Sequence, residues 1–157
     1  MSKVFLSYSA KDHFFAELAG VKLAAAGIEL WRDNGQLVAG SDWRQGIETG
    51  ISNSLAVLVA LSPHSAESSY VTYEWAYALG KGKPIIPLKL LKCSVHPRLE
   101  ILQHLDFSVP MAQPWDPLIA RIREEEMKAE STRRLPGPES VDAVFHYVNQ
   151  NLRQPVF

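Results

Sequence analysis

Cysteine is almost missing from this chain: Cys93 is the only one among 157 residues, which excludes an internal disulfide framework and fits a reducing cytoplasm. Five histidines lie scattered without metal-ligand spacing, so no metal site is expected. An excess of one charge is also missing. With 16 Lys and Arg against 17 Asp and Glu the formal net charge is -1, and no bulk field gathers nucleic acid or an anionic membrane. Long apolar runs are absent too. The longest, Leu55 to Leu61, is far shorter than the roughly 20 residues of a membrane-spanning helix, and no basic stretch leads into an apolar one at the start. Neither membrane insertion nor secretion is expected, and nucleic acid is disfavoured as a partner. What is present, 46% hydrophobic and 21% charged residues, is the composition of a globular protein with a full core.

Along the chain, apolar runs and helical patterns alternate. Val4-Phe5-Leu6 leads into Ser7-Tyr8-Ser9 as a buried first strand with a polar exit, and Asp12 to Ala26 follows as a helix closed by Gly27. Its apolar positions are Phe14, Phe15, Leu18, Val21 and Leu23. Ile28 to Trp31 completes a strand-helix-strand unit. Arg32 to Gly40 is rich in turn formers and reads as a long exposed loop, after which Ser41 and Asp42 can cap a helix from Trp43 to about Ile51. Leu55 to Leu61 suits a central parallel strand covered on both faces. After the Ser62-Pro63 stop, Ser65 to Leu79 is a run of good helix formers behind small hydroxyl residues, stopped by Gly80. Ile85 to Leu90 is the next strand, placed near an edge or bulged because Pro87 cannot donate to a ladder. A short helix at Pro97 to Leu102, a last strand at Leu105 to Phe107 and a helix from Pro114 to about Met127 complete the pattern. Ser131 to Glu139 changes composition and reads as a linker to a short helix at Ser140 to Leu152, which divides the chain into 1–130 and 131–157. The expectation is an α/β, flavodoxin-like three-layer fold: about five parallel strands covered by helices on both faces. Ligands of such sheets bind beyond the carboxyl ends of the strands.

Glu74 is the expected centre of function, one carboxylate among aromatics on the helix after the central strand. At about 100° per residue, Tyr70, Glu74 and Tyr77 share a stripe expected to face a cleft, beside an apolar stripe of Val71, Trp75, Ala78 and Leu79 expected to pack. Several chemistries housed by this architecture lack their residues. No aspartate follows the central strand, as a phospho-receiver requires. The first loop, Ser7 to Asp12, has no glycine to bring amides onto phosphate. Gly80-Lys81-Gly82-Lys83 follows a helix instead of a strand, so it is a helix stop, and no Gly-x-Ser-x-Gly elbow is present.

Three blocks resemble a Toll/interleukin receptor (TIR) domain, particularly those of bacteria. The first is Lys3-Val4-Phe5-Leu6-Ser7-Tyr8-Ser9 with Asp12; the second is Leu30-Trp31-Arg32-Asp33 through Gly40-Ser41-Asp42-Trp43. The third runs from Ile51-Ser52-Asn53-Ser54 through Leu61-Ser62-Pro63 and Ser68 to Tyr70, Glu74-Trp75 and Ala78-Leu79. Together they span about residues 3 to 125. A further box is degenerate: Trp115 stands where the family often carries a Phe-Trp pair, with Pro114 in place of the phenylalanine.

The resemblance implies one of two roles, since some TIR domains hydrolyse or cyclise NAD and others scaffold signalling complexes. In NAD-cleaving members a helical glutamate follows an aromatic by four positions, as Glu74 follows Tyr70. The resemblance therefore implies an NAD+ glycohydrolase giving nicotinamide and ADP-ribose or a cyclic isomer, in immune or anti-phage signalling. NAD is then the substrate and no cofactor is expected. Nicotinamide departs neutral from a pyridinium, so its loss needs no general acid and a single carboxylate can suffice. Glu74 would stabilise the oxocarbenium-like charge or trap it covalently, and Tyr70 would stack on a flat ring. The alternatives are a solvated helix glutamate in a non-catalytic interaction module, or a nucleoside ribosyl transfer enzyme that uses one glutamate.

Phe5 and Ser7, at the sheet's carboxyl edge, are expected to line the pocket or, for Phe5, to be plain core. Asp33 is expected to contact substrate or to cap its turn. Leu37, Val38 and Trp43 on the exposed loop are expected to mediate self-association. Activation is expected to come from that assembly, from a separate sensor or effector protein, from a small signal or from crowding. Cys93 has no neighbour in sequence to lower its pKa and reads as inert.

Overall fold

The computed structural model describes residues 1–32 and 43–133. Five strands, all parallel, form one sheet in the order β2-β1-β3-β4-β5. They are β1 (Ser2–Ser7), β2 (Ile28–Arg32), β3 (Val57–Leu61), β4 (Ile85–Lys89) and β5 (Leu105–Asp106). The helices are α1 (His13–Ala25), α2 (Trp43–Ser52), α3 (Pro63–Ala66), α4 (Ser69–Gly80), α5 (Pro97–Glu100) and α6 (Trp115–Arg133). The expected flavodoxin-like α/β architecture is present. The chain divides into two units, Met1–Glu125 and Glu126–Phe157, and the whole sheet lies in the first. Helix α6 continues through Arg133, so the first residues of the segment read as a linker are helical. The tail helix expected at Ser140 to Leu152 lies outside the described residues.

Side chains alternate across a strand, and here both faces are covered. Val4 and Leu6, Leu58 and Ala60, and Ile86 and Leu88 meet Ala16 and Leu23 of α1 and Leu118 and Ile122 of α6. Phe5, Val57, Val59, Leu61 and Ile85 meet Ile47 and Ile51 of α2 and Val71, Trp75 and Ala78 of α4. That double coverage is why β3 reads as an unbroken apolar run and why all its residues are buried. Helix α2 approaches the sheet closely at Gly50, where a Cβ would lie 3.3 Å from Phe5 Cε2 and from Trp31 Cε2.

Pro87 sits in β4, beside the edge strand β5 and not at the edge itself. Val57 N–H donates to Pro84 O and Phe107 N–H to Lys89 O, so even-numbered positions of this segment bond toward β3 and odd-numbered ones toward β5. Pro87 therefore turns its missing donor toward β5, whose pairing begins only at Leu88 with Leu105. The Gly80 to Lys83 stretch is indeed a helix stop. Lys81 N–H caps α4 on Tyr77 O, Gly82 has φ 69°, and Lys83 Nζ donates to the carbonyls of Ser52, the last residue of α2, and of Ser54 just past it.

Helix α1 corrects one expectation. Phe14, Leu18 and Val21, apolar positions of the helical pattern, do not pack on the sheet and are 76%, 39% and 68% exposed. Its inner face is instead Ala16, Ala19 and Leu23, with Phe15 set against Phe107 and Trp115. The helix carries apolar residues on two opposite faces, and periodicity alone does not say which one meets the sheet.

Candidate active site

Ser7 ends β1 on the same face as Phe5, two residues earlier, and so points at the α2 and α4 layer. Helix α4 starts where the Ser68 hydroxyl accepts from Val71 N–H at 3.2 Å, behind a capping box in which Ser62 and Ser65 bond reciprocally. Its buried positions are Val71, Glu74, Trp75 and Ala78, the i, i+3, i+4, i+7 face. Glu74 thus belongs to the packed face, and the open-cleft placement expected for it is overturned. The side chain is 2% exposed, and Ser7 Oγ–H donates to its Oε1 at 2.8 Å. A carboxylate withdrawn from water loses hydration that only hydrogen bonds and charge can replace, so a packing helix has no reason to place one there. Breaches of that kind concentrate at functional sites.

The pair also occupies a topologically distinctive place. From β1 the chain moves outward to β2 and then crosses to β3 on the other side, so the strand order reverses between β1 and β3. Ligands of open parallel sheets bind in the crevice at that reversal. Ser7 ends one of these strands, and the two exit loops are joined above it: Ser62 Oγ–H donates to Asp12 Oδ2 at 2.5 Å. The sequence places Asp12 in the first block and Ser62 at a strand stop, with no sign that they bond. Fifty positions separate them.

An aromatic seam runs beside Glu74. Trp43, the first residue of α2, stacks on Tyr70 with centroids 4.7 Å apart and meets Tyr73 edge-on at 5.4 Å. Tyr73 O–H donates to Glu48 Oε1 at 2.6 Å, a bond that, with burial, pushes its phenol above the ordinary value. Trp43, expected in an interaction loop, is here half-buried against the glutamate's helix, and it covers one face of the Tyr70 ring. Phe5 has no exposed surface and stacks on Trp31 at 4.7 Å. It is core floor and not pocket lining. Asp33, Leu37 and Val38 lie outside the described residues. Burial raises the Cys93 thiol pKa, as suits an inert residue.

A cavity of about 80 Å³ lies on the other side of α4, lined by Leu61, Ser65, Val71, Trp75, His96 and Leu99 among others. It is far below the roughly 300–1,000 Å³ of small-molecule sites. Among the described residues no helix is long and apolar enough to cross a membrane, and no group of His, Cys, Asp or Glu could hold a metal ion.

Compared with known families, residues 4–122 match the family described as TIR domain. The chain belongs to the TIR domain family. The TIR domain of the Toll-related receptor TRR-2 from Hydra magnipapillata is 25% identical, with a TM-score of 0.67, covering 76% of this chain and 97% of the other. A prokaryotic SEFIR domain shares the fold at 19% identity and a TM-score of 0.53, covering 88% of this chain and 97% of the other. The TIR domains of the activated Roq1 resistosome share it at 18% identity and a TM-score of 0.50, over 86% and 78%. No curated protein is significantly similar. TIR domains include NAD-cleaving enzymes and scaffolds, and they associate with themselves and with other TIR proteins.

Proposed function

We propose that this TIR domain cleaves NAD at the nicotinamide–ribose bond, with Glu74 as the catalytic carboxylate and Ser7 as the residue that positions it. The observation that carries this reading is the buried Ser7–Glu74 hydrogen bond at the β1/β3 reversal. In the reaction the C–N bond breaks and its electron pair leaves with nicotinamide, neutralising the pyridinium. Positive charge then develops on the ribose carbon and ring oxygen. A carboxylate fixed beside that carbon gains interaction energy as the charge moves toward it, which is the condition for lowering the barrier. Water completes the hydrolysis at the ribose carbon and loses a proton to give ADP-ribose; a nucleophile within the substrate gives the cyclic isomer. Tyr70 offers a ring for stacking, with Trp43 already on one of its faces.

At 2% exposure the carboxylate is closed to a dinucleotide, so this conformation is a resting one and substrate enters only when Glu74 is uncovered. Assembly or a separate sensor protein would supply that change, in line with a cytoplasmic role in immune or anti-phage signalling. The same burial favours a second reading, a non-catalytic TIR module in which Glu74 is a structural residue. Incubating the concentrated protein with NAD and separating the products by chromatography decides between them. Nicotinamide appearing with ADP-ribose or its cyclic isomer supports cleavage, and unchanged NAD supports the scaffold.

A further inference from the structure

Asp12 occupies the N-cap position of α1 and yet makes no side-chain bond to that helix. An aspartate there ordinarily accepts from the N–H groups of the first turn. Here the carboxylate reaches across to the exit of β3 instead, where Ser62 Oγ–H donates to its Oδ2 at 2.5 Å. Ser62 is fully buried, and its hydroxyl oxygen accepts from Ser65 N–H at 3.1 Å, which leaves its proton to serve Asp12. Charge-assisted bonds of this kind are short and about twice as strong as neutral ones.

What the bond closes is set by the strand order. β1 and β3 are neighbours at the reversal; Ser7 is the last residue of β1, and Ser62 follows the last residue of β3. Between Ser7 and Asp12 the chain makes a turn with local bonds: Asp12 N–H donates to Ser9 O at 2.8 Å, Lys11 N–H donates to Ser9 Oγ at 3.3 Å, and His13 Nδ1 lies 3.1 Å from Ala10 O. The turn is thus a stiff piece attached where β1 ends, and Asp12 pins its far end to β3. We propose that the Asp12–Ser62 hydrogen bond is a clasp that holds this turn across the crevice above Ser7 and Glu74, and that its release uncovers the Glu74 carboxylate. The clasp itself does not depend on NAD cleavage; its effect on turnover rests on that reading.

Access to Glu74 is measurable without substrate, by coupling carboxyl groups to glycinamide with a water-soluble carbodiimide and following each glutamate by peptide mass spectrometry. A buried carboxylate reacts from an open state, so its rate reports the open population. Because the clasp exists only in the closed state, Asp12→Ala removes a bond to a charged group from that state alone and should speed Glu74 coupling about ten- to hundredfold. Asp12→Asn keeps an acceptor without the charge and should fall between. Glu125, also buried and paired with Arg121 on α6, is the internal control and should keep its wild-type rate, because the opening is local. Nicotinamide release from NAD at low protein concentration should rise in the same order. Equal coupling of Glu74 in wild type and Asp12→Ala, or a rise matched at Glu125, overturns the clasp. Faster coupling of Glu74 alone upholds it, and if NAD then stays intact with all three proteins, the cleavage reading fails while the clasp stands.

Discussion

Replacing Glu74 by glutamine tests the site most sharply, because the swap keeps the shape and still accepts the Ser7 hydrogen bond while deleting the charge. Loss of a comparable preorganised group elsewhere costs about 2.7–4 kcal/mol, or roughly a hundred- to thousandfold in turnover, and more if the carboxylate also acts as a nucleophile. Stability should move the other way. Burying a carboxylate at 2% exposure costs desolvation energy that a neutral amide largely avoids, so Glu74→Gln should melt at or above the wild-type temperature. Glu74→Ala behaves differently. It leaves the Ser7 hydroxyl buried without its acceptor, a loss of about 1–3 kcal/mol, and opens a cavity as well. For a chain of this size that lowers Tm by roughly 2–12 °C. Nicotinamide release and melting curves should be measured side by side for the three proteins. Near-wild-type turnover in Glu74→Gln refutes the catalytic assignment. A fall of many degrees in its Tm refutes the energetic reasoning, since it would make the charge itself a structural requirement.

Ser7→Ala should lower turnover about tenfold, the worth of one charge-assisted hydrogen bond of about 1.5 kcal/mol, with KM nearly unchanged because the carboxylate remains but is less well held. Unaltered kcat would remove Ser7 from its positioning role. Gly50→Ala should reduce Tm by about 2–4 °C, because overpacking against Phe5 and Trp31 outweighs the roughly 1 kcal/mol gained in helix propensity; a rise in Tm would show that the rings yield freely. In an absorbance titration Tyr73→Phe should remove a step that ionises above the ordinary tyrosine value, and Glu48→Gln, which keeps an acceptor but deletes the charge, should bring that step lower. The sign follows from a raised folded pKa: the bond's contribution to stability is complete below the unfolded pKa and is lost as pH rises through the folded one.

The sheet was legible because strands buried on both faces must be apolar at every position, as Val57 to Leu61 is. The α4 caps and stop were legible from Ser68, Gly80 and Gly82, whose roles are set by local backbone chemistry. Glu74 stood out as one carboxylate among aromatics, and the family resemblance gave it a role, but it was misplaced by the assumption that charge faces water. Its spacing from Val71, Trp75 and Ala78 already marked the buried face. Contacts across the fold were not legible. Ser7 with Glu74 and Asp12 with Ser62 lie 67 and 50 positions apart, and only the strand order brings them together. For α1, two apolar faces compete for one sheet, and small alanines win because they allow the helix to lie close.

Helices α2 and α4 are fastened at three levels: Trp43 on Tyr70 at one end, Glu48 to Tyr73 in the middle, and Lys83, just past α4, to the carbonyls of Ser52 and Ser54 at the other. Neither helix can open without dragging the other. In hydrogen exchange the two should therefore open as one cooperative unit, their amides sharing a single free energy of opening. A ligand that reaches Glu74 and holds α4 in place would slow exchange along Arg44 to Ile51, in a helix that contributes no residue to the Ser7–Glu74 pair.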